Sequence, residues 1–285
     1  MTDQPHIVED RATRSLVVDE HVSSMPAEPR ILVTNDDGID SPGLERLARR
    51  LNQDFETVVV APAWDMSGSG TGIGQFDPEA GVALTKVDRD NLEAYTVAGP
   101  PGLAVLAAML GAFGRPPDLV VSGVNPGLNT GHSVIHSGTV GAALTARTLG
   151  AHGLAVSLAE SDPWCWDTAV TVARAAVDWI IRADSRSLVL NVNVPALPIE
   201  EVAGIRWADL DEFGHIRVAM ADVPGERLEF EVRGSASGLD EVCDTALCLA
   251  GNVTLTLLSP INPAPFPPEE ATAVWNPNGT EGRSS

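Results

Sequence analysis

Asn35-Asp36-Asp37-Gly38 sets two carboxylates side by side, and neighbouring negative charges repel unless a cation lies between them. Oxygens of aspartate, serine and asparagine are hard ligands that suit Mg²⁺, Mn²⁺ or Ca²⁺ better than zinc. Alone, Asp-Asp-Gly is most simply a turn or a helix cap. Here it has company. Asp65-Met66-Ser67-Gly68-Ser69-Gly70-Thr71 and the stretch from Ser122 to Gly131 are two further polar, glycine-containing segments, each directly after an apolar run. Ser137-Gly138-Thr139 opens a helical pattern, where free N–H groups can hold an anion, although the triplet alone is an ordinary N-cap. A site for a hard cation is the chemistry these residues predict.

Competing motifs fail on spacing. A dinucleotide fingerprint beginning at Gly68 needs glycine where Ile73 stands, Asp36 to Asp40 does not match a calcium loop, and neither GxxxxGK[ST] nor GxSxG occurs. His132 and His136 flank the anion loop and could assist a leaving group or serve as polar loop residues. Trp64 adjoins the second loop and could stack on a flat ring or pack in a core or interface.

Such loops need a scaffold that brings them to one rim. Ile31 to Thr34, Thr57 to Pro62, Asp118 to Gly123, Leu154 to Leu158 and Leu188 to Val194 are apolar, β-branched runs, the mark of strands covered on both faces. Between them lie helical patterns over Gly43–Leu51, Pro101–Phe113, Thr139–Leu149 and Trp166–Arg182. Alternating βα units predict an α/β, Rossmann-like, doubly wound and mostly parallel sheet with its polar loops at the strands' carboxyl ends. Beyond Pro195 the alternation in Leu228–Val232 and Val253–Leu257 predicts a C-terminal antiparallel β-hairpin excursion used in assembly. Residues 1–29 read as a flexible arm, 30–261 as the domain, with 195–261 its β-rich assembly segment, and 262–285 as a Pro-rich, poorly packed tail.

Composition narrows the partners. Eighteen Lys+Arg against 39 Asp+Glu give a net charge of −21, which repels polymeric nucleic acid and anionic lipid. An anionic substrate then needs local help, from a cation or from backbone N–H groups. At 44% hydrophobic residues the 285-residue chain can bury a core, yet no stretch approaches the roughly 18 apolar residues of a membrane span. Cys165, Cys243 and Cys248 lack metal-ligand or disulfide spacing and read as reduced thiols. No apolar signal segment opens the chain, so a cytoplasmic location is expected.

Four segments in register, Ile31 to Gly43, the Ser67-Gly68 loop, Ser122 to Asn129 and Ser137 to Ala143, resemble the SurE (survival protein E) family of metal-dependent 5′/3′-nucleotidases. Leu190 to Pro195 and Asp244 to Leu247 extend the similarity over roughly residues 30–260. The resemblance implies a Rossmann-like core with an exchanged C-terminal hairpin, a homodimer or homotetramer, and hydrolysis of nucleoside monophosphates with one Mg²⁺ or Mn²⁺ per subunit. Carried over position by position, Asp36, Asp37, Ser67 and Asn125 would hold the cation. Asn125, Asn129, Ser137, Gly138 and Thr139 would surround the phosphate, and Asp36 and Asp37 would act in catalysis, Asp37 on the attacking water. Departures from the family pattern fall at Asp65, at Ala98 to Gly102 and at Thr145. Two rivals stay open: a phosphatase for another small ester or short polyphosphate, and a nucleotide-binding scaffold without turnover.

Overall fold

The computed structural model describes residues 7–10, 13–16, 25–26, 28–75, 81–183, 188–212, 216–221, 229–234 and 240–259. Strands β1 (Ile7–Asp10) and β2 (Thr13–Leu16) pair antiparallel within the stretch read as a flexible arm, a local ladder that needs no periodic core pattern. The domain proper runs β3 (Arg30–Thr34), α1 (Pro42–Leu51), β4 (Glu56–Pro62), β5 (Leu84–Arg89), β6 (Leu92–Val97), α2 (Pro101–Met109) and β7 (Leu119–Pro126). A 3-10 turn (His132–His136) then leads into α3 (Gly138–Thr148), β8 (His152–Leu158), α4 (Trp166–Arg182) and β9 (Val189–Val194). The remainder comprises β10 (Gly204–Trp207), β11 (Ile216–Ala221), β12 (Glu229–Gly234), α5 (Asp244–Leu249) and β13 (Asn252–Leu258).

Nine strands form one sheet in the order β10-β13-β9-β8-β7-β3-β4-β6-β5. Six consecutive strands of that order, β9 to β6, are mutually parallel. That is the doubly wound arrangement the apolar runs predict. Alternation along each strand divides the core: Ile31, Val33 and Val121 face α1 and α4, whereas Leu32, Val58 and Val120 face α2. Pro42 begins α1 where its missing N–H costs nothing, and Leu44, Leu47 and Leu51 bury its inner stripe, each stabilising by about 1.5–3 kcal/mol.

Three expectations change. β5 and β6, which carry no uniformly apolar run, add an antiparallel hairpin to one edge of the sheet. β7 continues past Gly123 to Pro126, with a register shift against β8 between Ser122 and Asn125. The Val253–Leu257 strand is no part of an excursion: as β13 it enters the main sheet antiparallel to β9 and parallel to β10. Beyond Pro195, β11 and β12 form an antiparallel pair outside the main sheet. The tail expected over 262–285 lies outside the described residues, and no described helix is long and apolar enough to cross a membrane.

Candidate active site

The carboxyl ends of β3, β4 and β7 release three loops, and backbone hydrogen bonds stitch them together. Met66 N–H donates to the Asp36 carbonyl at 2.7 Å, Ile39 N–H to the Pro62 carbonyl at 3.0 Å, and Gly70 N–H to the His136 carbonyl at 3.1 Å. Asn35 shapes the first loop by donating its amide to the Gly38 carbonyl at 3.0 Å. Gly38 has φ +100°, and an added Cβ would meet the Trp64 backbone at 3.3 Å, so this turn accepts no side chain without strain.

Asp36 is 3% exposed and lies against the start of α3. Thr139 Oγ1 donates to Asp36 Oδ1 at 2.5 Å and stands 3.3 Å from Asn125 Oδ1. A hydroxyl has one proton, and the carboxylate takes it by charge and by distance. Asn125 donates its amide to the Gly127 carbonyl at 2.7 Å, which turns its Oδ1 toward Thr139. On the other side of Asp36, a Cβ added to Gly138 would fall 2.6 Å from Ser69 Oγ and 2.7 Å from Asp36 Oδ2. Ser69 Oγ is buried there with no hydrogen-bond partner among the described residues.

The electrostatics follow from this crowding. Burial raises the Asp36 pKa, opposed by the Thr139 hydroxyl and by the backbone N–H groups of Asp36, Thr139 and Gly138. Asp37 is pushed up to about 7, first by burial and then by the charges of Asp36 and Asp65. Asp65 goes the other way: exposed, it accepts Ser67 Oγ at 2.6 Å and Ser67 N–H at 2.8 Å, and these donors lower its pKa. None of the ion pairs among the described residues involves Asp36, Asp37 or Asp65.

Mixed oxygen donors around uncompensated carboxylates fit a hard divalent cation. Among the described residues no three His, Cys, Asp or Glu side chains gather as a ligand set, so hydroxyl and amide oxygens would complete the shell. Ser67 can contribute, because donating its proton to Asp65 leaves its lone pairs free.

Four residues expected at the phosphate, Asn125 among them, have partners already. The Thr139 hydroxyl is committed to Asp36, and Ser137 Oγ caps α3 by accepting Val140 N–H at 3.2 Å, so two of the donors and acceptors at this helix start are spoken for. Asn129 sends its amide to Ser157 Oγ at 2.8 Å. His132, His136 and Trp64 are exposed. The sequence reading missed Asp65 as a third charge acting on Asp37, and Ser69, whose only signal was its position two residues after Ser67.

Known proteins resemble this chain in sequence and in fold. A 5′-nucleotidase SurE of Rhodopirellula baltica is 39% identical over 180 residues, covering 62% of this chain and 70% of the relative. One from Dehalococcoides mccartyi is 36% identical over 207 residues, covering 72% of this chain and 78% of the relative. The crystal structure of the SurE protein from Aquifex aeolicus superimposes with a TM-score of 0.69 at 30% identity, over 81% of this chain and 93% of that one. The family model described as survival protein SurE matches residues 31–214, from the first core strand to just past β10, and this chain therefore belongs to the SurE family.

Proposed function

We propose that this chain is a phosphomonoesterase that hydrolyses nucleoside monophosphates to nucleoside and phosphate, using one divalent cation, Mg²⁺ or Mn²⁺, held by Asp36, Asp37, Ser67 and Asn125. The observation that carries the reading is the uncompensated carboxylate group: Asp37 driven to about 7 beside a buried Asp36. Its relatives' name, 5′-nucleotidase, favours the 5′ ester. When bound, the cation offsets phosphate charge and lowers the pKa of the attacking water.

The protein's own groups do the rest. Asp37 orients that water and receives its proton, while Thr139 fixes the Asp36 carboxylate by hydrogen bonding to Oδ1. Asn125, Asn129 and the Ser137-Gly138-Thr139 helix start border the phosphate, with exposed Trp64 available to stack on a base. Cys165, Cys243 and Cys248 form no disulfide, which goes with a cytoplasmic setting, and the detached β11–β12 pair serves homodimer or homotetramer assembly.

The test is phosphate release from a panel of 5′- and 3′-nucleoside monophosphates, sugar phosphates and tripolyphosphate, each with Mg²⁺ and with Mn²⁺. The expected result is preferred turnover of a 5′-nucleoside monophosphate, lost in Asp37→Asn. Equal or faster turnover of the other esters overturns the substrate class, and no turnover with either ion overturns the activity.

A further inference from the structure

The loop between β7 and α3 is held from outside itself. Asn129 N–H donates to Asn193 Oδ1 at 2.8 Å, and the Asn129 carbonyl accepts two amide donors, Asn191 Nδ2 and Asn193 Nδ2, both at 2.9 Å. That carbonyl has two lone pairs, so it is saturated. Two residues on, Gly131 N–H donates to Asp244 Oδ2 at 2.9 Å, and His132 N–H donates to the Asp211 carbonyl at 3.0 Å. Asp211 is itself fixed, since its N–H donates to Asp244 Oδ1 at 2.9 Å, an oxygen that also accepts Thr245 N–H at 2.8 Å. Asn191, Asn193 and Asp244 are all 0% exposed.

We propose that Asn191, Asn193 and Asp244 are positioning residues for the hydrolytic site, a buried polar clamp that sets the height of the Asn129–His132 backbone against Asp36 and Asp37. The inference rests on the proposed nucleotidase activity, in which Asn129 and the start of α3 border the phosphate. Its physical ground is cost. Burying a carboxylate and two amides is unfavourable compared with burying apolar side chains of similar size, and a set of directed hydrogen bonds provides what apolar packing does not, a fixed height and orientation. Burial raises the Asp244 pKa, while three backbone N–H donors, from Asp211, Gly131 and Thr245, pull it back.

The displacement such a clamp prevents has a route to the chemistry. From His132 the chain enters the 3-10 turn, whose His136 carbonyl accepts Gly70 N–H, and then α3, whose Thr139 holds Asp36. A shift of the loop therefore moves groups that border the phosphate and, through Thr139, the Asp36 carboxylate, while the backbone of the first loop stays anchored by Asn35 and Pro62. Turnover should fall, with cation binding weakened alongside it.

Two variants and a control test this. Asp244→Asn keeps the shape and turns one accepting oxygen into a donor. Asn193→Ala removes one donor and one acceptor at Asn129 and leaves Asp244 intact, so it carries the test if Asp244→Asn does not fold. Thr168→Val, which removes a buried hydroxyl bonded to the Leu197 carbonyl at 2.8 Å, is the control for general destabilisation. Expected is a fall in kcat of about tenfold or more in each clamp variant, with the cation Kd by calorimetry raised as well, and both unchanged in the control. Amide hydrogen exchange at Gly131 and His132 should accelerate in the clamp variants alone. A kcat that falls in Thr168→Val as far as in the clamp variants, or exchange at Gly131 and His132 unaltered in them, overturns the clamp. If the parent itself hydrolyses no nucleoside monophosphate, the proposed activity is what fails, and hydrogen exchange alone decides the clamp.

Discussion

Asp37 pairs a buried position with two like-charged neighbours, and the energy of its charge is the quantity to measure. Without cation its folded pKa, about 7, lies above the ordinary 3.8, so the folded state holds a proton that the unfolded state releases. The resulting stabilisation is complete below about pH 4 and is lost as pH rises through 7, on the order of 2 kcal/mol after allowance for solvent screening. In EDTA at pH 8, Asp37→Asn should therefore melt at or above the parent, the two should coincide at pH 4, and saturating Mn²⁺ should reverse the order. A variant that melts lower in EDTA at pH 8 contradicts the account. Thr139→Val removes the donor that orients Asp36 and should weaken cation binding by about 10–100-fold. Calorimetry with Mn²⁺ and inhibition by inorganic phosphate separate this from the sequence expectation: weakened phosphate inhibition with unchanged cation affinity would return the hydroxyl to the phosphate. Asp36 and Asp37 were legible as candidates for a cation from residue type and loop position, and Asn125 from the family resemblance. The direction of the Thr139 hydroxyl was not, because it depends on how α3 docks across the sheet.

Elements repeat the distinction between what is local and what is not. The five strand runs marked in the sequence all lie in the parallel centre, where burial on both faces writes a continuous apolar signature. β5, as Leu84-Thr85-Lys86-Val87-Asp88-Arg89, is mostly exposed and carries no such signature, and the partner of β13 was unreadable because pairing with β9 spans some sixty residues of chain. At the start of β8, burial and then the charge of Arg147 hold His152 down to about 4, against 6.5 ordinarily. A histidine kept neutral by folding contributes its full stability above pH 6.5 and loses it as pH falls toward 4, about 2–3 kcal/mol in all. Because Leu188 N–H donates to His152 Nδ1, His152→Gln can keep an acceptor without the titration. Urea midpoints of parent and variant should agree more closely at pH 4.5 than at pH 7 if the parent alone loses stability on acidification; a constant difference would deny the shift. α3 depends on closeness: a Cβ on Gly141 would lie 1.9 Å from the Gly70 carbonyl oxygen. Gly141→Ala should cost about 1–3 kcal/mol in urea unfolding and lower kcat by forcing the Ser67–Gly70 loop from the helix.

At the scale of the molecule, a net charge of −21 opposes the approach of any phosphate ester. Screening shortens from about 30 Å at 0.01 M to about 8 Å at 0.15 M salt, so KM for a nucleoside monophosphate should fall as KCl is raised across that range at saturating cation. A KM that is flat or rises would mean that the site's own donors and cation already dominate the long-range field. Sheet order has another consequence, in time rather than in space. β13 is the last of the described strands to be synthesised, yet it sits inside the sheet, between β9 and β10. Until the ribosome has delivered Leu258, β9 presents a bare edge and β10 has nothing to join, so a nascent chain carrying the whole carboxylate site still exposes an open sheet margin. Chains cut short of Asn252 should accumulate as aggregates rather than as smaller enzymes, which makes β13 the step that closes the sheet.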